Sequence, residues 1–256
     1  LNELNKEKWV KESDFTQPKI YYKKVIWMCM HLASLFSGGK DSAYAMYKTM
    51  KEGHEIKVLI AIGSENPESY MYHVPNIELT KMQAEAMEIP IIFKKTKGVK
   101  EEELKDLKNA INEAIETHGI TGVVSGAIYS NYQRKRIDDI CSFVGIESLS
   151  PLWKMKPKDM LTEMVEEGFK IIISAVAAGG LGPEWLGREI DEKVINELSD
   201  LHNTCYVCTA GEGGEFETLV LDAPFFKKSI KIEDAEKLWD GKSGVYNVKN
   251  AKFAEK

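Results

Sequence analysis

Two short stretches of this chain combine residue types that ordinary structure does not require. The first, Ser37-Gly38-Gly39-Lys40-Asp41-Ser42, follows the apolar stub "HLASLF" and precedes the helix-like "AYAMYKTM". A tight turn that opens a helix presents unpaired backbone N–H groups and the positive end of the helix dipole. Gly38 and Gly39 let the main chain approach an anion closely, Ser37 and Ser42 add hydroxyls, and Lys40 adds a charge. Together they form a nest for phosphate. It is not a Walker loop, because Asp41 separates Lys40 from Ser42. The bland alternative is a strand-to-helix turn that is glycine-rich for steric reasons.

The second stretch is "AGEGGEFETLVLD", residues 210 to 222, where Glu212, Glu215 and Glu217 are broken only by Gly213, Gly214 and Phe216. If the chain is extended from 215 to 221, Glu215 and Glu217 share one face, and Phe216 and Thr218 the other. Like charges this close repel, so a folded protein keeps them for a cation or for proton transfer. Ammonium, Mg²⁺ and a cationic substrate are the candidates; exposed acids on a glycine turn are the alternative.

Two further stretches are expected at strand ends. "SGAIYSNYQRKRI" (125 to 137) opens a helix. Gly126 is placed with the nucleotide, while Tyr129, Gln133 and Arg136 are placed to reach substrate or nucleotide, arginine being suited to planar oxyanions. A solvated basic helix face is the other reading. "SENPESYMYH" (64 to 73) puts Ser64, Glu65 and Asn66 where adenine or ribose would lie, with Tyr70, Tyr72 and His73 lining a pocket. An ordinary loop is the competing reading.

The elements that must position these residues alternate. Strands are expected at "HLASLFS", "KVLIAIGS", "PIIFKKT" and "GVVSGAI", and helices at 42–52, 79–89, 101–119 and 131–145. The second strand is a continuous apolar run, as in a sheet covered on both faces. Alternation of this kind implies a parallel, Rossmann-like sheet flanked by helices, with ligands at the carboxyl ends of its strands. After Pro151 the rhythm changes. A helix from Asp159, the buried strand "KIIISAVA", the loop "GGLGPEWLG", a helix over 191–203 and late strand-like stretches read as a smaller α+β domain. The fold class is therefore α/β, with domains at 31–150 (nucleotide) and 151–256 (substrate) and a boundary near 145–155. Residues 1–30 are expected to be an N-terminal extension of little function, with a natural start at Met28 or Met30; an ordered arm packing Trp9 and Tyr21 is the rival.

Composition narrows the classes. A net charge of -6 argues against a nucleic-acid partner. No window reaches the ~20 apolar residues of a membrane span, and the polar opening is unlike a secretory signal. Four cysteines are too few for a disulfide framework, which places the chain in a reducing cytosol.

The first stretch resembles the Ser-Gly-Gly-x-Asp-Ser loop of the ATP pyrophosphatases, the PP-loop family, which transfer AMP from ATP and release pyrophosphate. The resemblance implies that the loop grips the β and γ phosphates and that Asp41 holds Mg²⁺. More narrowly, "LFSGGKDSAYA", "SENPESYMYH", "SGAIYSNYQRKRI" and "GEGGEFETLVLDAPFFKKSI", supported by "PLW" and "GLGPEWLGREID", resemble the diphthine–ammonia ligases in their compact archaeal form. That resemblance implies ATP-dependent amidation of diphthine on translation elongation factor 2 with ammonium. The implied catalytic set is Lys40, Asp41, Glu212, Glu215 and Glu217, and the nucleotide set is Ser37 to Ser42 with Ser64, Glu65 and Gly126. Tyr129, Gln133, Arg136, Gly213, Gly214 and Thr218 fall to the substrate. Trp185, Phe216 or Tyr129 could face the trimethylammonium group.

Two rivals remain from the residues alone. A PP-loop tRNA-thiolating enzyme would use His202, Cys205 and Cys208, but a single CxxC lying in a strand sends its thiols to opposite faces, so these read as core cysteines. A non-catalytic ATP sensor is the other.

Overall fold

The computed structural model describes residues 29–64, 76–97 and 102–256. The N-terminal lead before Cys29 and the expected adenine and pocket residues Glu65, Asn66, Tyr70, Tyr72 and His73 lie outside them.

Five parallel strands form the first sheet: β1 (His31–Leu35), β2 (Glu55–Ser64), β3 (Ile91–Thr96), β4 (Gly122–Val124) and β5 (Glu147–Leu149), in the order β3-β2-β1-β4-β5. Four helices connect them: α1 (Lys40–Lys51), α2 (Leu79–Met87), α3 (Glu102–His118) and α4 (Asn131–Val144). β5 has no counterpart in the sequence reading. Its three residues, Glu-Ser-Leu, carry no apolar run, and pairing with β4 alone makes them a strand. After α5 (Pro157–Glu166) comes β6 (Lys170–Val176), then α6 (Glu192–Cys205), β7 (Phe216–Asp222), β8 (Ser229–Trp239) and β9 (Gly244–Ala254). These last strands form an antiparallel sheet in the order β7-β6-β9-β8.

Strand alternation splits the core into two layers. Ala33, Val58, Ile60 and Val123 pack against Leu107, Ala110 and Ile111 of α3 and Ile137 of α4. Their neighbours Leu32, Leu59 and Val124 face the other way, into one cluster with Tyr44 and Met46 of α1 and Ile171, Ile173, Phe216 and Val220 of the second sheet. Helix α1 is thus shared by both sheets. Tyr44 donates its hydroxyl to Glu163 of α5 at 2.5 Å, and Tyr47 donates to Glu167 at 2.6 Å. The helix that the glycine loop opens is therefore fixed by both halves of the molecule.

Candidate functional site

In the first sheet the chain leaves β1 for β2 on one side and later returns to place β4 on the other. The crevice at the carboxyl ends of β1 and β4 is the switch point where such sheets take ligands. The loops there are residues 36–39 and 125–130.

The glycine loop is braced from outside. Gly38 has φ +81, which a side chain would strain. Its carbonyl accepts from Val220 N of β7 at 3.0 Å and from Gln83 Nε2 of α2 at 2.9 Å. Lys40 N donates to Thr218 Oγ1 at 3.0 Å. β7 is an edge strand, and the loop covers that edge. Inside the loop, Ser37 N donates to Ser42 Oγ, and that hydroxyl lies against Gly39 O. The amides of Asp41 and Ser42 belong to the first helical turn, where helix geometry supplies no acceptor. Gly126 is closed in: a Cβ there would lie 2.6 Å from Asp41 C and 2.7 Å from Ser42 N. What its bare backbone accommodates is the start of α1.

Charge concentrates just beyond. Lys40, only 3% exposed, places Nζ 2.9 Å from Asp41 Oδ2 and 5.5 Å from the centre of the Phe216 ring. Asp41 Oδ1 is buried and has no hydrogen-bond partner among the described residues. Burial pushes the Glu217 carboxyl up to about 7, reinforced by Asp41 and opposed by Lys40. Glu212 is raised in the same way, by burial and then by Asp41, against the backbone N–H groups of Tyr129 and Ile128 and the charge of Lys40. One lysine thus stands among three carboxyl groups, and burial makes Glu212 and Glu217 hold their protons more tightly than free carboxyls do.

Glu215 behaves differently. β7 begins at Phe216, one residue later than an extended segment from 215 would require. The Glu215 carboxylate turns back, accepting from Cys208 N at 2.9 Å and Gly213 N at 2.8 Å. The expected shared face of Glu215 and Glu217 is therefore absent, because two amides of the preceding turn compete for the first carboxylate. Gly213 and Gly214 belong to this turn; Gly214, at φ +82, donates to Gly211 O.

The remaining expected residues divide. Ser64 ends β2, on the carboxyl side of the sheet. Tyr129 is 44% exposed, donates its hydroxyl to Met155 O, and its amide N–H reaches Glu212. Gln133 N is capped by Ser130 Oγ at the start of α4. The Arg136 guanidinium lies over the Tyr132 ring, 3.3 Å from its centre. Thr218, expected at the substrate, is buried and engaged with the loop through its hydroxyl. Two of the three aromatics offered for a cationic group are otherwise occupied: Trp185 is buried under Arg188, and Phe216 is buried under Lys40. Cys205 ends α6 and is exposed, Cys208 follows in a loop, and His202 Nδ1 lies 3.0 Å from Val207 O. Neither cysteine is in a strand, and Cys205 is not a core residue; a helix end and a left-handed Tyr206 separate them. Among the described residues no group of three His, Cys, Asp or Glu side chains is placed to hold a metal unaided.

Sequence reasoning missed Gln83, which is fully buried. The signal was available: Thr80, Gln83, Ala84 and Met87 form the inward stripe of α2, and a glutamine at a core position demands partners.

A parallel α/β sheet carries the glycine loop at its switch point, braced by a strand with buried acids, the form of an anion-binding α/β site. Family models described as the diphthamide synthase N-terminal and C-terminal domains match residues 30–148 and 156–254. Proteins named diphthine–ammonia ligase are similar over most of the chain. The one from Bos taurus is 34% identical over 88% of this chain and 91% of its own length. The one from Homo sapiens is 36% identical over 81% and 84%, and the one from Schizosaccharomyces pombe is 34% identical over 81% of this chain but 37% of its own. The chain belongs to the diphthamide synthase family and is an enzyme, a ligase. Among the described residues no helix is long and apolar enough to cross a membrane.

Proposed function

We propose that the chain converts the carboxylate of diphthine, on translation elongation factor 2, to an amide at the expense of ATP and with free ammonium as nitrogen source. The observation that carries this reading is the cluster of Asp41, Glu212 and Glu217 around one lysine at the mouth of the phosphate nest. A carboxylate is a poor electrophile. Its oxygen attacks the α-phosphorus of ATP, pyrophosphate leaves, and the acyl-adenylate that results has a good leaving group. Ammonium first gives one proton to Glu217, whose carboxyl is pushed up to about 7; the ammonia so formed attacks the acyl carbon, AMP departs as the C–O bond breaks, and the second proton passes to water. Lys40 and the first-turn amides hold the polyphosphate.

The donor set suits magnesium: Asp41 offers a buried, unpartnered carboxylate oxygen, and phosphate oxygens would complete a shell that protein groups alone do not. The ion would neutralise polyphosphate charge there. In this reading residues 31–150 bind the nucleotide and 151–256 contribute the acids and the substrate surface; the cytoplasm is the expected compartment.

The test mixes the protein with ATP, ammonium and diphthine-bearing elongation factor, then measures released pyrophosphate and the acid-to-amide mass change. Both are expected together. ATP binding without pyrophosphate release would point instead to a nucleotide sensor.

A further inference from the structure

The Gln83 side chain lies where three elements meet. Its Nε2 is 2.9 Å from Gly38 O of the loop and 2.7 Å from Val220 O of β7. Two carbonyl acceptors fix the orientation of the amide, since only the NH₂ end can donate to both. The other end, Oε1, is buried with no hydrogen-bond partner among the described residues. It faces the loop, 2.5 Å from where a Cβ on Gly38 would lie. A protein leaves a buried amide oxygen unpaired at some cost, so the two bonds made by the nitrogen must outweigh it. Those two bonds tie the loop carbonyl to the strand carbonyl two residues beyond Thr218. Thr218 in turn holds Lys40 N, and Glu217 is its neighbour.

We propose that Gln83 is a positioning residue that holds the phosphate loop in register with the acidic strand, so that the nest and Glu217 meet the same substrate. Gln83 touches no reacting atom; it acts through Gly38 and Val220. The inference rests on the reading of the loop as the ATP site. Without Gln83, Gly38 O keeps only Val220 N, Val220 O loses its side-chain donor, and the loop spends less time in the binding geometry. Apparent affinity falls by that fraction.

The test is Gln83→Met, of similar length and able to fill the same space without donating. ATP affinity by calorimetry is expected to weaken roughly tenfold, the scale of one lost hydrogen bond. Amide hydrogen exchange at Lys40 and Val220 should quicken, while the β6–β7 ladder keeps its protection. Thr80→Val is the control: Thr80 is buried on the same helix face but its hydroxyl donates to Ile77 O of its own helix start, with no bond to Gly38 or Val220 among the described residues, so it should leave both readouts unchanged. If methionine is not accommodated, Gln83→Asn, smaller and too short to bridge, is expected to show the same losses. A folded Gln83 variant with wild-type ATP affinity and wild-type exchange at both amides overturns the proposal. Absence of ATP binding by the wild-type protein would instead overturn the reading of the loop, a separate outcome.

Discussion

The glycine loop at residues 37–42 and the turn that leads into β7 are both short and glycine-rich, yet they differ in where their side-chain bonds come from. Residues 37–42 have internal bonds from Ser37 N to Ser42 Oγ and from Gly39 N to Ser37 Oγ, and they are also braced from outside, by Val220 N, Gln83 and Thr218. Residues 208–215 are braced largely from within, by the Glu215 carboxylate on Cys208 N and Gly213 N and by Gly214 N on Gly211 O, with Ala177 N on Glu215 O and Tyr129 N on Glu212 from outside. That bracing leaves Asp41 Oδ1 buried with no hydrogen-bond partner among the described residues. Internal bracing consumes one glutamate of three and leaves Glu212 and Glu217. Two glutamates separated by one residue therefore have different work, and the difference comes from which backbone amides lie within reach.

The comparison breaks most visibly at those two glutamates. Glu217→Gln keeps shape and removes the proton acceptor; kcat for amidation is expected to fall about 10²–10⁴-fold with ATP affinity retained. Glu215→Gln keeps one acceptor oxygen where two amides need one each. Its expected cost is about 1–3 kcal/mol of stability, read in urea melts, with a much smaller change in kcat. A folded Glu215→Gln protein as inactive as Glu217→Gln would erase the distinction.

Next in size is a pH effect specific to Glu217. Its carboxyl titrates at about 7 in the folded chain, against an ordinary value of 4.5. The native state thus holds this proton more tightly than the unfolded state. The resulting stability is fully present below about pH 4.5 and is lost as pH rises through about 7. A shift of this size is worth about 2–3 kcal/mol after allowance for partial solvent exposure. Wild type should therefore lose stability relative to Glu217→Gln across that interval and run parallel to it above. Thermal melts at several pH values check this; a constant difference would mean that Glu217 ionises normally. The same titration predicts that amidation by wild type rises through pH 7, since only the ionised carboxylate accepts a proton.

The sequence made the parallel sheet and the loop legible for a physical reason. Apolar runs such as "KVLIAIGS" and the Ser37–Ser42 pattern are local, and so is the backbone geometry they impose. It also exposed the acids, because three glutamates within six residues need a cause. Their division was not legible. Whether a carboxylate faces a cation or caps an amide depends on where β7 begins, and that is set by pairing with β6, not by the residues themselves. β5 was hidden for the same reason. Thr218 and Gln83 were invisible as braces because their partners are 178 and 45 residues away in the chain. Arg136, expected from its type to meet an anion, lies with its guanidinium over Tyr132, a neighbour on the same helix, a contact set by helix spacing.

The finest probe of external bracing is Thr218→Val. Valine matches threonine in shape, so packing against the loop survives, but Lys40 N loses its acceptor. A buried N–H left without a partner costs about 1–2 kcal/mol. Because that amide belongs to the loop, the loss should fall on nucleotide binding, as a several-fold weaker ATP affinity, while kcat at saturating ATP stays near wild type. The internally braced turn shares no hydrogen bond with Thr218 Oγ1 among the described residues, so exchange at Cys208 and Gly213 amides should be unchanged. If exchange quickened there as well, the two regions would be one cooperative unit, and the contrast between loop and turn would be one of wiring and not of behaviour.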